Sequence, residues 1–156
     1  MKVLCLGGAG KISSEAVRDL VAFSNLERIT IADIDATAAV TLANELADRR
    51  VDACPIDIMR SSEAVALMRP YDIVMDGTTI RLNDQSTACI AEAGCHGIDL
   101  NGFGGEYKYD HQFKENRRTH IPGFGMTPGV TNMMVKHAAD QMETVSTVRV
   151  NHGAFR

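Results

Sequence analysis

Short apolar runs alternate with stretches of helical period along almost the whole chain. Lys2–Leu6, Arg28–Ala32, Val51–Ile56, Asp72–Met75, Gly97–Leu100 and Thr119–Phe124 read as strands, with Pro55 and Pro122 weakening the ends of two of them. Between them lie helical patterns. Ile12, Ala16, Leu20 and Phe23 are expected to line one face of the first helix, and Ala39, Leu42, Ala43 and Leu46 one face of the second. Ser61–Met68 and Asn83–Ala93 read as shorter helices with Ser61 and Asn83 as N-caps. Thr127 followed by Pro128 predicts an N-cap and a first helical residue, opening a helix with Val130, Met134 and Ala138 on one side. Val145–Val150 then alternates like one more strand, expected to pack back, to pair with a second copy in a homodimer, or to fray. A repeating strand–helix order with strands buried on both faces implies an α/β fold with a doubly wound, mostly parallel sheet. The expected division is one unit over 1–143, with 144–156 beginning a further domain for substrate or dimerisation before which the chain is truncated.

Composition narrows the function classes. The 156 residues suit one ordinary domain, and 45% hydrophobic with 23% charged residues is close to the average for soluble globular proteins. A net charge of −4 without any long Lys/Arg run argues against nucleic acid as a partner. Cys5, Cys54, Cys89 and Cys95 show no CxxC spacing and read as reduced, buried thiols of a cytoplasmic protein. No apolar run is long enough for a membrane span, and the residues before the first glycines are too few for a signal sequence.

The strongest chemical signal is VLCLGGAGKISSEAV, a strand running into a glycine-rich turn and then a helix. Such a turn brings backbone amides close to a pyrophosphate, whose charge the N-terminus of the following helix stabilises. Read as GxGxxG, the segment places Gly7, Ala9 and Ile12; read as GxxGxxG, it places Gly7, Gly10 and Ser13, and the second fits better because Ser13 still permits close packing of helix on strand. The turn residues Gly7, Gly8, Ala9, Gly10, Lys11, Ile12 and Ser13 are therefore candidate cofactor contacts in a Rossmann-like fold. Asp33 ends the second strand about 20 residues later, where an acid accepts hydrogen bonds from the adenosine ribose. Ile34 follows it instead of an Arg, which favours NAD over NADP, and Arg49 and Arg50 lie too far along the chain to hold a 2′-phosphate. Asp35 reads as a helix cap.

Asp57 and Ile58, after the third strand, either flank the adenine or form a simple strand-end turn. Gly77, Thr78 and Thr79, after the fourth, leave space for a ribose and nicotinamide. Asp99, ending the fifth, projects towards the same crevice as a candidate proton-transfer group, or else hydrogen-bonds nearby loop amides, with Leu100, Asn101 and Gly102 following. His96, His111, His120, His137 and His152 have no metal-ligand spacing and read as surface or helix-end residues; no metal site is expected. Met126, Met133, Met134 and Met142 read as packing.

Taken together, MKVLCLGGAGKISSEAVRDLV, IADID, YDIVMDGTT, HGIDLNGF and IPGFGMTPGVTNMM resemble the amino-terminal dinucleotide-binding part of the saccharopine dehydrogenase-like oxidoreductases, with the lysine 6-dehydrogenase type the nearest. The resemblance covers essentially the whole chain, and its most specific element is GFGMTPGVTNMM, which supplies Gly125, Pro128 and Gly129 of a G-x-x-P-G segment. It implies hydride transfer between a nicotinamide cofactor and the carbon of an amino acid's C–N bond, in lysine metabolism, with a small amino-acid-like substrate covered by a second domain. It also implies that Asp99 lines the active cleft. Ala9 in place of the family's second turn glycine and Ile80 in place of a hydroxyl-bearing aromatic depart from the pattern, and the substrate domain is expected to be missing from the chain. The alternative is a non-catalytic dinucleotide-binding module acting through a partner chain.

Overall fold

A strand buried on both faces has no polar side to offer water, so it belongs in the middle of a sheet covered by helices. The strand β1 (Lys2–Leu6) is such a strand, with Val3, Leu4, Cys5 and Leu6 all buried. In the computed structural model, which describes residues 1–101 and 105–151, β1 pairs in parallel with β2 (Arg28–Asp33) on one side and β4 (Ile73–Asp76) on the other. With β3 (Val51–Pro55), β5 (His96–Asp99) and β6 (His120–Ile121), the order is β3-β2-β1-β4-β5-β6, all parallel. This is the doubly wound arrangement, and the connections reverse direction between β1 and β4, opening a crevice at the carboxyl ends of the strands.

The two-residue period of β1 feeds two separate cores. Val3 and Cys5 join Val17, Leu26, Ile29, Ile31, Ala39 and Leu42 beneath α1 (Ser13–Phe23) and α2 (Ala36–Leu46). Leu4 and Leu6 join Met68, Val74, Ile90 and Phe113 beneath α3 (Ser61–Met68), α4 (Asn83–Ala93) and α5 (Asp110–Glu115). Asp35 caps α2 as expected, accepting from the Ala38 amide at 3.0 Å. Cys5, Cys89 and Cys95 are buried and Cys54 half-buried, all as free thiols; burial pushes Cys5 up to about 12 and Cys95 to about 11.

Several local expectations are corrected. The buried face of α1 is Ser13 and Val17, backed by Leu20 and Val21, whereas Ile12 and Phe23 are exposed; the glycine turn sets where the helix starts, and that rotation puts Ser13 against the sheet. Ser61 and Asn83 are first helical residues and not caps, because turns closed onto the carbonyls of Asp57 and Thr79 lead straight into α3 and α4. β6 stops at Ile121, where Pro122 and Gly123 turn the chain. The last helix, α6, is Val130–Ala139, starting after Gly129 instead of Thr127, whose hydroxyl pairs with that of Thr131 at 2.6 Å. Met126, Met133, Met134 and Met142 are exposed and pack no core. Val145–Val150 forms no strand: residues 144–150 have no regular structure, and Val145, Val148 and Val150 are exposed. No described helix is long and apolar enough to cross a membrane. Gly102, His152 and the tail 153–156 lie outside the described residues.

Candidate functional site

The crevice between β1 and β4 contains a cleft of about 280 Å³ lined by Leu6, Gly7, Gly10, Asp33, Ile34, Ile56, Asp57, Ile58, Met59, Gly77, Thr78, Thr79 and Leu82. The structure therefore brings together the turn, the end of β2, the β3 loop and the β4 loop. Ile56, Met59 and Leu82 carry no site expectation from the sequence, and Ile34 carries one only for cofactor choice. They are apolar liners with no chemical signature, and only the parallel pairing makes them neighbours.

The turn glycines serve different ends. Gly7 has φ +65°, and a Cβ there would lie 3.0 Å from the Gly77 carbonyl oxygen, so the crossing of the β1 and β4 loops demands glycine. At Gly8 a Cβ would meet the Cys5 carbonyl oxygen at 2.6 Å, a packing constraint. At Gly10 it would meet only the Gly7 carbonyl oxygen, at 3.1 Å, and otherwise occupy the cleft. Among the described residues the amides of Lys11, Ile12 and Ser13 have no backbone acceptor, and they stand at the N-terminal end of α1, where an anion is stabilised. Ser13 is buried and donates to the Gly77 carbonyl at 3.5 Å; a Cβ on Gly77 would come within 1.9 Å of its Oγ.

Asp33 is held rather than mobile. Its Oδ2 accepts from the Ala9 amide at 3.0 Å and its Oδ1 from the Asp35 amide at 3.1 Å, leaving further lone pairs towards the cleft. Ala9 thus spends its amide on Asp33. Arg49 and Arg50 sit with Lys2, Glu27 and Arg28 at the amino ends of β1–β3, the end of the sheet opposite the turn. Arg50 is tied to Asp48 and to the carbonyls of Val21 and Ser24, and it holds the Asp48 carboxyl down at about 2. Asp57 has both features weighed for it: Oδ1 accepts from the Met59 amide at 2.9 Å in a strand-end turn, and the residue lines the cleft, as does the buried Ile58.

Behind the β4 and β5 loops lie two fully buried carboxylates on adjacent strands, Asp76 and Asp99, paired in register. Asp76 accepts from the Ser86 hydroxyl and from the Thr78 amide at 2.9 Å; burial raises its carboxyl above the usual range, with the nearby Asp99 adding to the effect and those hydrogen bonds opposing it. Asp99 is not open to the crevice. Its Oδ1 accepts from the amides of Asn101 (2.8 Å) and Gly123 (3.3 Å), and its Oδ2 faces His120 Nε2 at 3.1 Å. His120, read in the sequence as a surface histidine, is 6% exposed and stacks on Phe113 with ring centroids 5.0 Å apart. The signal that could have found it is Gly97, its partner in the β5–β6 pairing, where a Cβ would lie 2.2 Å from the His120 Nδ1. No group of His, Cys, Asp and Glu among the described residues is arranged to hold a metal ion.

A glycine cradle facing an apolar cleft, free amides at a helix start and a fixed carboxylate at the end of β2 fit a dinucleotide. A family model described as the saccharopine dehydrogenase NADP binding domain matches residues 3–122. The chain belongs to this family. It is a nicotinamide-dinucleotide-binding domain of saccharopine dehydrogenase-like oxidoreductases. Among solved structures, apo saccharopine dehydrogenase (L-Glu forming) from Saccharomyces cerevisiae matches with a TM-score of 0.78 at 16% identity, over 90% of this chain and 31% of that one. A UDP-N-acetylglucosamine 3-dehydrogenase from Acidithiobacillus ferrooxidans matches with a TM-score of 0.64 at 19% identity, over 88% and 43%. A wide-type short-chain dehydrogenase/reductase from Veillonella parvula, in complex with NADP, gives 0.56 at 12%, over 76% and 66%. These likenesses establish the shared fold, and this chain spans about a third of the yeast enzyme's length.

Proposed function

We propose that this domain serves an oxidoreductase acting on the C–N bond of an amino acid, and that it takes NAD in preference to NADP. When bound, the nicotinamide supplies a hydride acceptor or donor at the β4–β5 side of the crevice. Lys11, Ile12 and Ser13 offer amides to the pyrophosphate, Gly10 leaves the space for it, and Asp33 accepts from the adenosine ribose hydroxyls. Asp57 and Ile58 border the adenine, and Gly77, Thr78 and Thr79 border the nicotinamide ribose.

The observation that carries the cofactor preference is Asp33. Two backbone amides keep its carboxylate at the cleft beside the exposed Ile34, and a 2′-phosphate there would meet like charge. The family description names NADP, so the choice is a direct test. Titration with NADH and NADPH, followed by cofactor fluorescence, should show tighter NADH binding; tighter NADPH binding would overturn the preference. The C–N assignment rests on family membership. Lysine and saccharopine should support NADH formation, and a 2-hydroxy acid should not, measured with this chain and, since it spans 31% of the yeast enzyme, with any longer protein that contains it. Oxidation confined to alcohols would refute it.

A further inference from the structure

We propose that His120 is a positioning residue for the nicotinamide end of the cleft, acting through Asp99 and Asn101 on the backbone of Thr78. This rests on the dinucleotide reading above. In a doubly wound sheet the adenosine lies over β2 and β3 and the pyrophosphate over the β1 turn, so the nicotinamide falls to the loops after β4 and β5. Thr78 lies in the first of these loops and lines the cleft. Its amide donates to Asp76 at 2.9 Å, and its carbonyl accepts from Asn101 Nδ2 at 2.8 Å. Asn101 is fixed in turn by its own amide, which donates to Asp99 Oδ1 at 2.8 Å, and Asp99 faces His120 through its other oxygen. A continuous run of hydrogen bonds therefore connects β6, at the sheet edge, to the cleft wall.

The imidazole is suited to hold that carboxylate still. Its ring lies between Phe113 and the space that Gly97 leaves open, so it cannot turn away. A carboxylate acceptor requires a proton on Nε2, and among the described residues Nδ1 has no hydrogen-bond partner. Among the described residues, the hydrogen bond that the ring makes is to Asp99, which it helps the Asn101 and Gly123 amides to hold. The Asp99 carbonyl also accepts from the Phe124 amide at 2.7 Å, so the chain leaving β6 is anchored at the same residue. A purely structural buried pair would support the whole domain and both halves of the cofactor equally. A positioning role acts on one half.

The test compares NADH with ADP, which lacks the nicotinamide ring and its ribose, by calorimetry on the 156-residue chain. His120→Ala should weaken NADH by about tenfold and leave ADP within about twofold, the scale of one charge-assisted hydrogen bond. His120→Gln, whose side-chain amide reaches Asp99 from a similar place, should restore NADH affinity to within about threefold. Asn101→Ala cuts the run outside the buried pair and should give the same split, and it decides the matter if His120→Ala does not fold. Equal weakening of both ligands, or unchanged NADH affinity in either alanine variant, would overturn the proposal. A wild-type chain that binds neither ligand refutes the dinucleotide reading, and the proposal with it.

Discussion

Gly10 shows how much a single missing side chain decides. Of the turn glycines it is the one whose Cβ position meets little of the protein and faces the cleft, so a substitution there should spare the fold and block the ligand. Gly10→Val is expected to keep the thermal midpoint close to wild type while lowering NADH affinity by more than tenfold, because the pyrophosphate loses its approach to the amides. Calorimetry with undiminished affinity would place the pyrophosphate elsewhere. Asp33 shows the complementary case, a side chain whose value lies in being fixed: the amides of Ala9 and Asp35 hold it before any ligand arrives, which limits the entropy lost on binding. Ala9 stands where a GxGxxG reading wants glycine, and its amide, turned towards Asp33, gives the position a structural use.

Between elements, α1 and the loop after β4 approach closely. Gly77 lies against Ser13, and a methyl group at Gly77 would overlap the serine hydroxyl. Gly77→Ala is expected to destabilise the domain by about 1–3 kcal/mol, the usual cost of overpacking, and to displace the Gly7 turn that crosses the same loop. Ser13→Gly in the same chain should recover most of the loss by removing the clashing atoms, less a few tenths of a kcal/mol for glycine in a first helical turn. Denaturant unfolding of the single and double variants measures this, and an additive double variant would show that the two residues do not press on each other. The last helix, α6, is a different kind of element. None of its residues is buried, and Val130, Met133 and Met134 stand exposed, so its periodicity describes an amphipathic helix without a described partner.

For the whole molecule, the carboxyl ends of β4 and β5 concentrate buried carboxyl groups, which makes stability depend on pH. Burial raises the Asp76 carboxyl in the folded state above its ordinary value of 3.8. Below that value both states are protonated and Asp76 has no effect; as pH rises past it the unfolded chain ionises freely while the folded one resists, so the native state loses stability until the raised folded pKa is passed. Asp76→Asn removes this loss and keeps groups able to bond Thr78 and Ser86. It should be more stable than wild type near pH 7, with the difference shrinking to nothing below the free carboxyl's value of 3.8. Thermal melts across pH check the sign; a variant that is less stable at every pH would mean that ionised Asp76 supports the fold.

The alternation of apolar runs and helical stretches determined by itself the parallel sheet, its helices and the position of the glycine turn. Those features follow from local periodicity and from constraints that act within a few residues: buried central strands read as continuous apolar runs, and Asp35 caps the helix that follows it. Tertiary structure decided what depends on partners distant in the chain. The glycine turn set the face that α1 buries, with Ser13 against Gly77, and the environment of His120 was set by Gly97, Phe113 and Asp99. Val145–Val150 has the alternation of a strand, yet a strand exists only when a neighbour accepts its hydrogen bonds, and none of the described residues does. Periodicity reports which side of a segment is apolar; what covers that side is a property of the folded chain.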